Sequence, residues 1–444
     1  MPYIPNTDAD RKRMLESIGA AAISDLFNQI PDDLVMQRAL DIPGPLSEIE
    51  IRSHASVLSK ENACLESYAS FLGAGIYDHY IPSTVGAVIG RSEFYTSYTP
   101  YQPEISQGNL QTIFEFQTLA CQLTGMEVAN ASMYDAASAL AEAALMATSI
   151  TGRKGWVISS CVHPAYREVM RTYAWASGCK LIEAARDGIL TDLQDVTRLV
   201  TAETACVVMQ NPNFFGALES LADAESVTHR QGSLFIVSCD PISLGLLKPP
   251  GDYNADICVA EGQSLGIPMS YGGPLLGMFA CKKQFVRQMP GRVVGATVDT
   301  EGRRGYTLTL QTREQHIRRE RATSNICTNE ALVALASAVY LTTLGKQGLR
   351  QVANLCLQKA HYAMEIIADL RDYAIPFDAR FFKEFVVKCG KPIAEINERL
   401  LKKKIVGGLD LGRFYPDLAG HMLICATEMR TRDEIHALVE GLAE

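Results

Sequence analysis

The chain has 444 residues, 47% of them apolar and 20% charged, with a formal net charge of −9 and a pI near 5.5. This composition is typical of a globular protein with more than one domain and excludes a predominantly disordered chain. The negative charge repels nucleic acid, and no uninterrupted run of 18 apolar residues occurs, so neither nucleic acid nor a membrane is expected as a partner. Twelve cysteines without a CxxC pair predict free thiols, a cytoplasmic protein and no metal site.

Residues 1–60 predict an N-terminal helical arm, with helices over 8–30 and 33–40 in which apolar positions recur at helical spacing. Beyond the arm, short β-rich runs alternate with helical stretches, which predicts a mainly parallel sheet covered by helices on both faces. We expect this large α/β domain to span 61–328 and a smaller C-terminal α+β domain to span 329–444. The predicted strands are 155–159, 205–210, 234–238, 256–260, 384–389 and 421–426, and the predicted helices are 135–148, 163–177, 330–344, 393–403 and 432–442.

One segment after a predicted buried strand has two competing interpretations. Gly262, Ser264 and Gly266 match the G-x-S-x-G nucleophile elbow, which would make Ser264 the nucleophile of an α/β-hydrolase-type serine hydrolase. That elbow must run directly into a helix, whereas Pro268 and a glycine pair at 272–273 follow here. A turn permitted by glycine is the better interpretation, and the serine hydrolase stays the alternative.

Three tyrosines recur at every third position of one proline-rich segment, namely Tyr95, Tyr98 and Tyr101. Pro100 and Pro103 exclude a regular helix, so we expect an extended, polyproline-II-like ribbon that presents the rings on one side. Such a ribbon can offer its phenols to a small polar ligand, or it can pack against another protein surface. The sequence alone leaves both interpretations open.

Other polar residues also allow two interpretations. His163 lies at a predicted helix start and Asp240 follows a predicted strand, so each can contact a ligand or simply complete a turn. Six arginines lie between residues 303 and 321 of an otherwise acidic chain. This run is either a solvated face or a docking patch for an acidic partner or a phosphate, with the candidate residues Arg303, Arg304, Arg313 and Arg318.

Several longer blocks of sequence resemble the P-protein of the glycine cleavage system, over nearly the whole chain. The most specific are Thr-Pro-Tyr-Gln-Pro-Glu at 99–104 and Arg-Ala-Thr-Ser-Asn-Ile-Cys-Thr at 321–328, with others at 80–85, 130–138, 210–213 and 270–274. Within that family the chain resembles subunit 1 of the two-subunit form. The resemblance implies an α/β, fold-type-I, pyridoxal-phosphate-dependent transferase-like fold with a mostly parallel sheet and a smaller C-terminal α+β domain.

Gln263 stands where the resemblance places the cofactor-anchoring lysine of the paralogous subunit. A primary amide cannot form the imine that a lysine amine forms, so we expect no catalytic residue in this chain's own copy of the site. His163 and Asp240 would match the ring-stacking residue and the pyridinium partner, and are expected to be vestigial here. The resemblance therefore implies pyridoxal phosphate bound covalently by the partner subunit, and none bound covalently by this chain.

Fold-type-I enzymes complete their pockets across a subunit interface, so the resemblance also implies groups that this chain supplies to its partner. On the glycine side we expect Tyr95, Tyr98, Tyr101 and Glu104. Around the cofactor phosphate, where hydroxyl and amide groups suit a dianion, we expect Thr323, Ser324 and Asn325.

The implied activity is that of an oxidoreductase, glycine dehydrogenase (decarboxylating), which is active only with subunit 2. It releases CO2 from glycine and transfers the aminomethyl group to the lipoyl arm of H-protein, and the cofactor acts as the electron sink. We expect two copies of each subunit, and we expect lipoylated H-protein to dock at the arginine-rich patch by electrostatic attraction.

Overall fold

The computed structural model describes residues 5–322 and 324–444, and the chain divides into two compact units after Asn62. The first unit holds helices α1 (Asp8–Ser17) and α2 (Glu48–Ser59) and short 3-10 turns at Ile23–Phe27 and Asp32–Leu34. The predicted helix 8–30 is wrong in extent, because α1 ends at Ser17. The predicted helix 33–40 is wrong, since that range holds only the end of the 3-10 turn Asp32–Leu34, and α2 was not predicted.

Helix α1 ends early because of a Schellman motif. Gly19 adopts a left-handed φ of +73°, which glycine tolerates without steric cost. The N–H groups of Gly19 and Ala20 then donate to the carbonyls of Glu16 and Leu15, at 3.2 and 3.0 Å. These bonds satisfy the last carbonyls of α1 and stop it at Ser17.

The second unit contains the remaining helices and all seventeen strands of the described residues. The helices are α3 (Ser83–Ile89), α4 (Ser92–Tyr95), α5 (Gln107–Thr124), α6 (Ala136–Thr151), α7 (Pro164–Ser177), α8 (Leu193–Leu199), α9 (Leu221–Arg230), α10 (Gln315–Arg318), α11 (Ala331–Ala368), α12 (Ile393–Lys402) and α13 (Arg432–Ala443). The strands are β1 (Ala69–Ser70), β2 (Val128–Ala129), β3 (Gly155–Ser159), β4 (Lys180–Ala184), β5 (Arg186–Asp187), β6 (Leu190–Thr191), β7 (Thr204–Asn211), β8 (Leu234–Cys239), β9 (Ile257–Glu261), β10 (Gly277–Cys281), β11 (Val293–Val298), β12 (Arg304–Thr309), β13 (Tyr373–Ala374), β14 (Glu384–Cys389), β15 (Ile405–Val406), β16 (Leu409–Asp410) and β17 (His421–Cys425).

The main sheet has seven strands in the order β2-β10-β9-β8-β7-β3-β4. Strands β9, β8, β7, β3 and β4 are parallel, and β10 runs antiparallel to both of its neighbours. The predicted mainly parallel sheet is confirmed. Its central strands are almost wholly apolar because helices cover both faces, so side chains of either orientation are buried.

Successive residues of the central strands show the two faces directly. Val259 and Phe279 pack into a core with α6 and α7, whereas their neighbours Ala260 and Met278 pack into a second core with α5 and α11. This alternation follows from the two-residue side-chain period of a strand.

The C-terminal part of the unit is built on a four-stranded antiparallel sheet, β13-β14-β17-β16, against which α12, α13 and the end of α11 pack. Helix α11 is longer than predicted. Gly345, expected to end it, has φ +60° and ψ −176°, and the chain resumes a helical path after this kink. The division of 61–444 into two domains at residue 328 stays a prediction.

Candidate functional site

The carboxyl ends of β3, β7, β8 and β9 converge at one edge of the main sheet, where open α/β sheets usually bind their ligands. His163, Asp240 and Glu261 follow or end three of these strands, and residues from Gly75–Tyr77 and from the start of β14 close the region from above. We call this region the closed cleft; its lining includes Gly75, Tyr77, His163, Tyr166, Asp240, Glu261, Phe382, Lys383 and Glu384. The free volume within it is about 30 Å³.

The Gln263 side chain is committed to bonds within the chain. It lies in the 3-10 turn after β9 and is 1% exposed. Its Oε1 accepts the Tyr77 N–H at 2.9 Å, and its Nε2 donates to the carbonyls of Tyr77 and Ile267 at 3.0 and 2.7 Å. The amide thereby ties the Tyr77 backbone to the strand end where the resemblance places a lysine.

Asp240 is neutralised by Lys383, a residue that sequence reasoning missed. The Lys383 ammonium lies 2.7 Å from the Asp240 carboxylate, 3.0 Å from His79 Nε2 and 3.4 Å from the centre of the Tyr77 ring. Burial alone would lower the pKa of Lys383. The Asp240 carboxylate and smaller contributions from neighbouring groups together outweigh burial, so the pKa of Lys383 is raised. Asp240 therefore has an internal cation as its partner, with cation–π support from Tyr77.

Glu384 also forms hydrogen bonds to residues 74–77, the segment that covers the cleft. It accepts the Ala74 N–H at 2.6 Å and the Tyr77 hydroxyl at 2.7 Å. Burial raises the pKa of Glu384 to about 7, and burial together with the nearby Glu384 charge raises the pKa of Tyr77. Residues 74–77 are thus bonded to both Glu384 and Gln263.

The His163 side chain makes its hydrogen bonds and aromatic contacts within the chain. Its Nε2 donates to the Ala74 carbonyl at 2.9 Å, because its Nδ1 accepts the Ala165 N–H at 3.1 Å. The ring stacks on Tyr166 at 4.6 Å and meets Phe214 edge-on at 4.9 Å. Burial lowers the pKa of His163, so the ring is a neutral, structural donor.

A second buried network adjoins the closed cleft. His79 Nδ1 lies 2.7 Å from Glu428, and the Cys356 thiol lies 3.3 Å from the same carboxylate. Although burial opposes it, hydrogen bonding and charge from His79 lower the pKa of Glu428 to about 2. These three ligand-type atoms lie within 4.8 Å of one another, and the Glu428 carboxylate is hydrogen-bonded directly to both His79 and Cys356, so the group is a hydrogen-bond network.

Pyridoxal phosphate does not fit the closed cleft. A volume of about 30 Å³ holds one or two water molecules, whereas pockets for small organic ligands measure roughly 300 Å³ or more. The residue that would meet the pyridinium, Asp240, already binds Lys383, and the position of the anchoring amine is occupied by the bonded amide of Gln263.

Ser264 lacks the features of a hydrolytic nucleophile. It is 2% exposed, and its buried hydroxyl has no hydrogen-bond partner in the described part of the chain, so no histidine base contacts it. Residues 262–264 form a 3-10 turn that leads to another short turn instead of a helix. The serine hydrolase alternative is not supported.

The three candidate tyrosines lie at the surface, at exposures of 70% for Tyr95, 81% for Tyr98 and 44% for Tyr101. Tyr95 ends the one-turn helix α4, so the expected extended ribbon is wrong for this residue and can begin only after it. Tyr101 alone of the three has a side-chain hydrogen bond among the described residues: its oxygen accepts from Arg292 Nη2 at 2.7 Å. Glu104 is exposed in the turn that precedes α5.

The residues expected to contact the cofactor phosphate differ in their exposure to solvent. Thr323 lies outside the described residues. Ser324 is half-buried beside Glu142, and burial raises the pKa of Glu142 to about 7 while the Ser324 hydrogen bond opposes this rise. Asn325 is exposed.

Three of the four candidate docking arginines are exposed, namely Arg303, Arg304 and Arg318. Arg313 does not fit the docking role expected for it, because its guanidinium is half-buried and donates to the carbonyls of Met289, Gly291 and Leu310. Burial lowers the pKa of Arg313, although the Glu314 charge opposes this shift.

Comparison with solved structures identifies the class of fold to which this chain belongs. The chain aligns with a sphingosine-1-phosphate lyase of Burkholderia pseudomallei over 92% of each chain, with a TM-score of 0.66 and 15% identity, which speaks for the fold alone. The fold is that of the fold-type-I pyridoxal-phosphate-dependent enzymes, as predicted.

The model of the family "Glycine cleavage system P-protein" matches residues 1–442, and the chain belongs to that family. It is 54% identical to a probable glycine dehydrogenase (decarboxylating) subunit 1 of Desulforamulus reducens, over 100% of this chain and 99% of the relative. A crystal structure of glycine decarboxylase (P-protein) in inhibitor-bound form aligns over 100% of this chain and 99% of that chain, with a TM-score of 0.91 and 44% identity. Within the two described ranges, no helix combines the length and apolar character needed to cross a membrane.

Proposed function

We propose that this chain is the subunit of a glycine decarboxylase that does not anchor the cofactor, and that a lysine-bearing paralogue, subunit 2, anchors it. In the assembled enzyme glycine loses CO2 and its aminomethyl group passes to the lipoyl arm of H-protein. We further propose two copies of each subunit acting in the cytoplasm, where twelve free thiols are stable.

The observation that carries the proposal is the closed cleft. Lys383 supplies the positive charge that Asp240 requires, and Gln263 and Glu384 bond the covering residues Ala74–Tyr77 in place. A chain closed in this way has no room for a cofactor and no amine at the expected anchoring position. Its contribution to the reaction must therefore come from its surface, as a neighbour of the subunit that holds the cofactor.

Exposed phenols in a family-specific segment support this surface role. Tyr98 is 81% exposed and Tyr101 is 44% exposed, so both side chains can meet a neighbouring subunit. We propose that these tyrosines, with Tyr95 and Glu104 nearby in the chain, enter the glycine side of the partner's pocket.

Asn325 is the better supported of the two described candidates for the cofactor phosphate. It is exposed and can reach an adjacent subunit, whereas Ser324 lies against Glu142, which repels a phosphate whenever it is ionised. Thr323 stays a prediction.

We propose that H-protein docks at the exposed arginines, defined here as the docking patch of Arg303, Arg304 and Arg318. Arg303 pairs with Asp299 and Glu301 at 2.8 and 3.2 Å, so part of its charge is already compensated. Arg304 and Arg318 make no ion pair with any residue of 5–322 or 324–444, so their charges are free to attract an acidic surface.

Reconstitution tests the proposal. The purified chain, subunit 2 and their mixture are each given pyridoxal phosphate, carboxyl-labelled glycine and lipoylated H-protein, and labelled CO2 release is measured. We expect release from the mixture only. Release from this chain alone, or no release from a properly assembled mixture, contradicts the proposed function.

A further inference from the structure

A buried arginine, Arg292, contacts one of the candidate tyrosines, Tyr101. Arg292 lies just before β11 and is 3% exposed, and its carbonyl accepts the Ala131 N–H at 2.8 Å, which fixes its backbone. Its Nη2 donates to the Tyr101 hydroxyl at 2.7 Å, and its guanidinium carbon lies 5.1 Å from the centre of the Tyr101 ring. One side chain therefore holds both the ring and the hydroxyl of Tyr101.

A buried carboxylate lies beside Arg292 at ion-pair distance, without a hydrogen bond between them. Glu314 is 7% exposed, and one of its oxygens lies 3.8 Å from Arg292 Nε and 3.5 Å from His316 Nδ1. The His316 ring meets Tyr101 edge-on at 6.3 Å. Burying a charged pair is costly, and a surface tyrosine needs no such support for stability alone.

The direction of the Arg292 bond determines what Tyr101 can do. A guanidinium only donates, so the Tyr101 oxygen is the acceptor and its own O–H is left to donate elsewhere. Within the described residues no acceptor lies within hydrogen-bond distance of that O–H. Tyr101 as a residue is 44% exposed, so a group from outside this chain can approach its side chain.

We infer that Arg292 is a positioning residue that fixes the Tyr101 hydroxyl as a donor to the carboxylate of glycine in the partner's pocket. The inference rests on the proposed function. It separates Tyr101 from Tyr95 and Tyr98, whose hydroxyls have no hydrogen bond among the described residues. Glu314 supports Arg292 in turn and does not touch the substrate.

The test uses the complex assembled with subunit 2 and four forms of this chain: wild type, Tyr101→Phe, Arg292→Lys and the double variant. Glycine affinity is measured from the change that glycine causes in the visible absorbance of the holoenzyme, and kcat and KM are measured separately. We expect each single variant to weaken glycine affinity by roughly 10-fold, the value of a hydrogen bond to a charged group. We expect the double variant to be no weaker than Tyr101→Phe, because Arg292 acts through that hydroxyl.

Arg167→Lys is the matched control. Arg167 is also buried, pairs with Glu183 at 2.5 Å and donates to a tyrosine hydroxyl, that of Tyr415, at 2.9 Å. It makes the same kinds of contact away from Tyr101, so its loss should lower stability and leave glycine affinity unchanged. If the Arg292→Lys complex does not assemble, the Tyr101→Phe complex tests the role of the hydroxyl, since Tyr101 is partly exposed. Wild-type glycine affinity in the Tyr101→Phe complex then overturns the inference.

Two other results overturn the inference. One is wild-type glycine affinity in an assembled Arg292→Lys complex, and the other is a double variant whose defect is the sum of the two single defects. Either result leaves the proposed function standing, because the wild-type complex still decarboxylates glycine. A wild-type complex without decarboxylase activity removes the proposed function and this inference together.

Discussion

The Lys383 ammonium lies 2.7 Å from the Asp240 carboxylate, although 143 positions separate the two residues in the chain. Asp240 is the first residue after β8, and Lys383 immediately precedes β14, so the C-terminal sheet brings a cation to the ligand-binding edge of the main sheet. The pair gives the Asp240 carboxylate a positive partner in a cleft that has no room for a cofactor.

Lys383→Met should destabilise the folded chain strongly, by about 3–5 kcal/mol, because it leaves the Asp240 carboxylate buried and unpaired. Adding Asp240→Asn should restore most of the loss, since an amide carries no charge. Chemical denaturation of the single and double variants measures both effects. Lys403→Met removes a surface pair with Glu444 and serves as the control, with an expected change of about 1 kcal/mol or less. Equal effects at Lys383 and Lys403 would argue against a buried ion pair.

Glu142 should make stability depend on pH. Burial raises its pKa from 4.5 to about 7, so the folded state binds this proton more tightly than the unfolded state. Its contribution is full below about pH 4.5 and is lost as the pH rises through about 7. Glu142→Gln cannot ionise, so its stability relative to wild type should rise by ~3 kcal/mol between about pH 5 and pH 8.

The measurement is the free energy of unfolding of the wild type and Glu142→Gln at several pH values. Burial also raises the pKa of Glu261 and Glu384 to about 7, but both residues are present in the two proteins and cancel in the difference. A difference that stays constant with pH would show that Glu142 is ionised normally in the folded protein.

Tyr98→Phe should lower kcat/KM for glycine roughly 3- to 10-fold in the assembled enzyme, the value of one neutral hydrogen bond. Because 81% of Tyr98 is exposed, the melting temperature of the isolated chain should not change. Size-exclusion chromatography should show an intact complex. Unchanged kinetics would remove Tyr98 from the glycine side of the pocket.

Charge reversal in the docking patch should weaken the use of H-protein. Arg318→Glu should raise the KM for H-protein about 5-fold at low salt and less at high salt, since exposed charges are screened. The KM for glycine should not change. Arg313→Lys is the contrasting variant: its buried carbonyl contacts predict lower stability with an unchanged KM for H-protein. An Arg318→Glu effect that does not depend on salt would contradict electrostatic docking.

The sequence predicted the main sheet well because each central strand is a continuous apolar run. The predicted strand 155–159 coincides with β3, and the predicted strand 234–238 differs from β8 by a single residue. Such runs depend on local composition and need no knowledge of distant contacts. The N-terminal helices were predicted less well, although the signals are local: a capping box joins Ser47 and Glu50 at the start of α2, and Gly19 ends α1.

The cleft residues were predictable only in part. Gln263 was identified by comparison with an expected lysine, because that position follows a recognisable strand. Lys383, Tyr77 and Glu384 were missed, since each meets its partners across more than a hundred residues of chain and no local pattern marks them. Arg313 was predicted to be an exposed docking residue and is instead half-buried. Within a run of arginines, the sequence alone does not distinguish a buried side chain from an exposed one.

The most direct test of the central claim is to add pyridoxal phosphate to this chain, to subunit 2 and to their mixture, reduce each with borohydride, and map the modified peptides. Gln263→Lys is included as a fourth sample, because it restores an amine at that position while Glu384 still bonds Ala74 and Tyr77 over the cleft. We predict visible cofactor absorbance and a reduced adduct only where subunit 2 is present, and only on its lysine. A specific adduct on this chain, at Lys383 or at an introduced Lys at position 263, would contradict the claim that its cleft is closed to the cofactor.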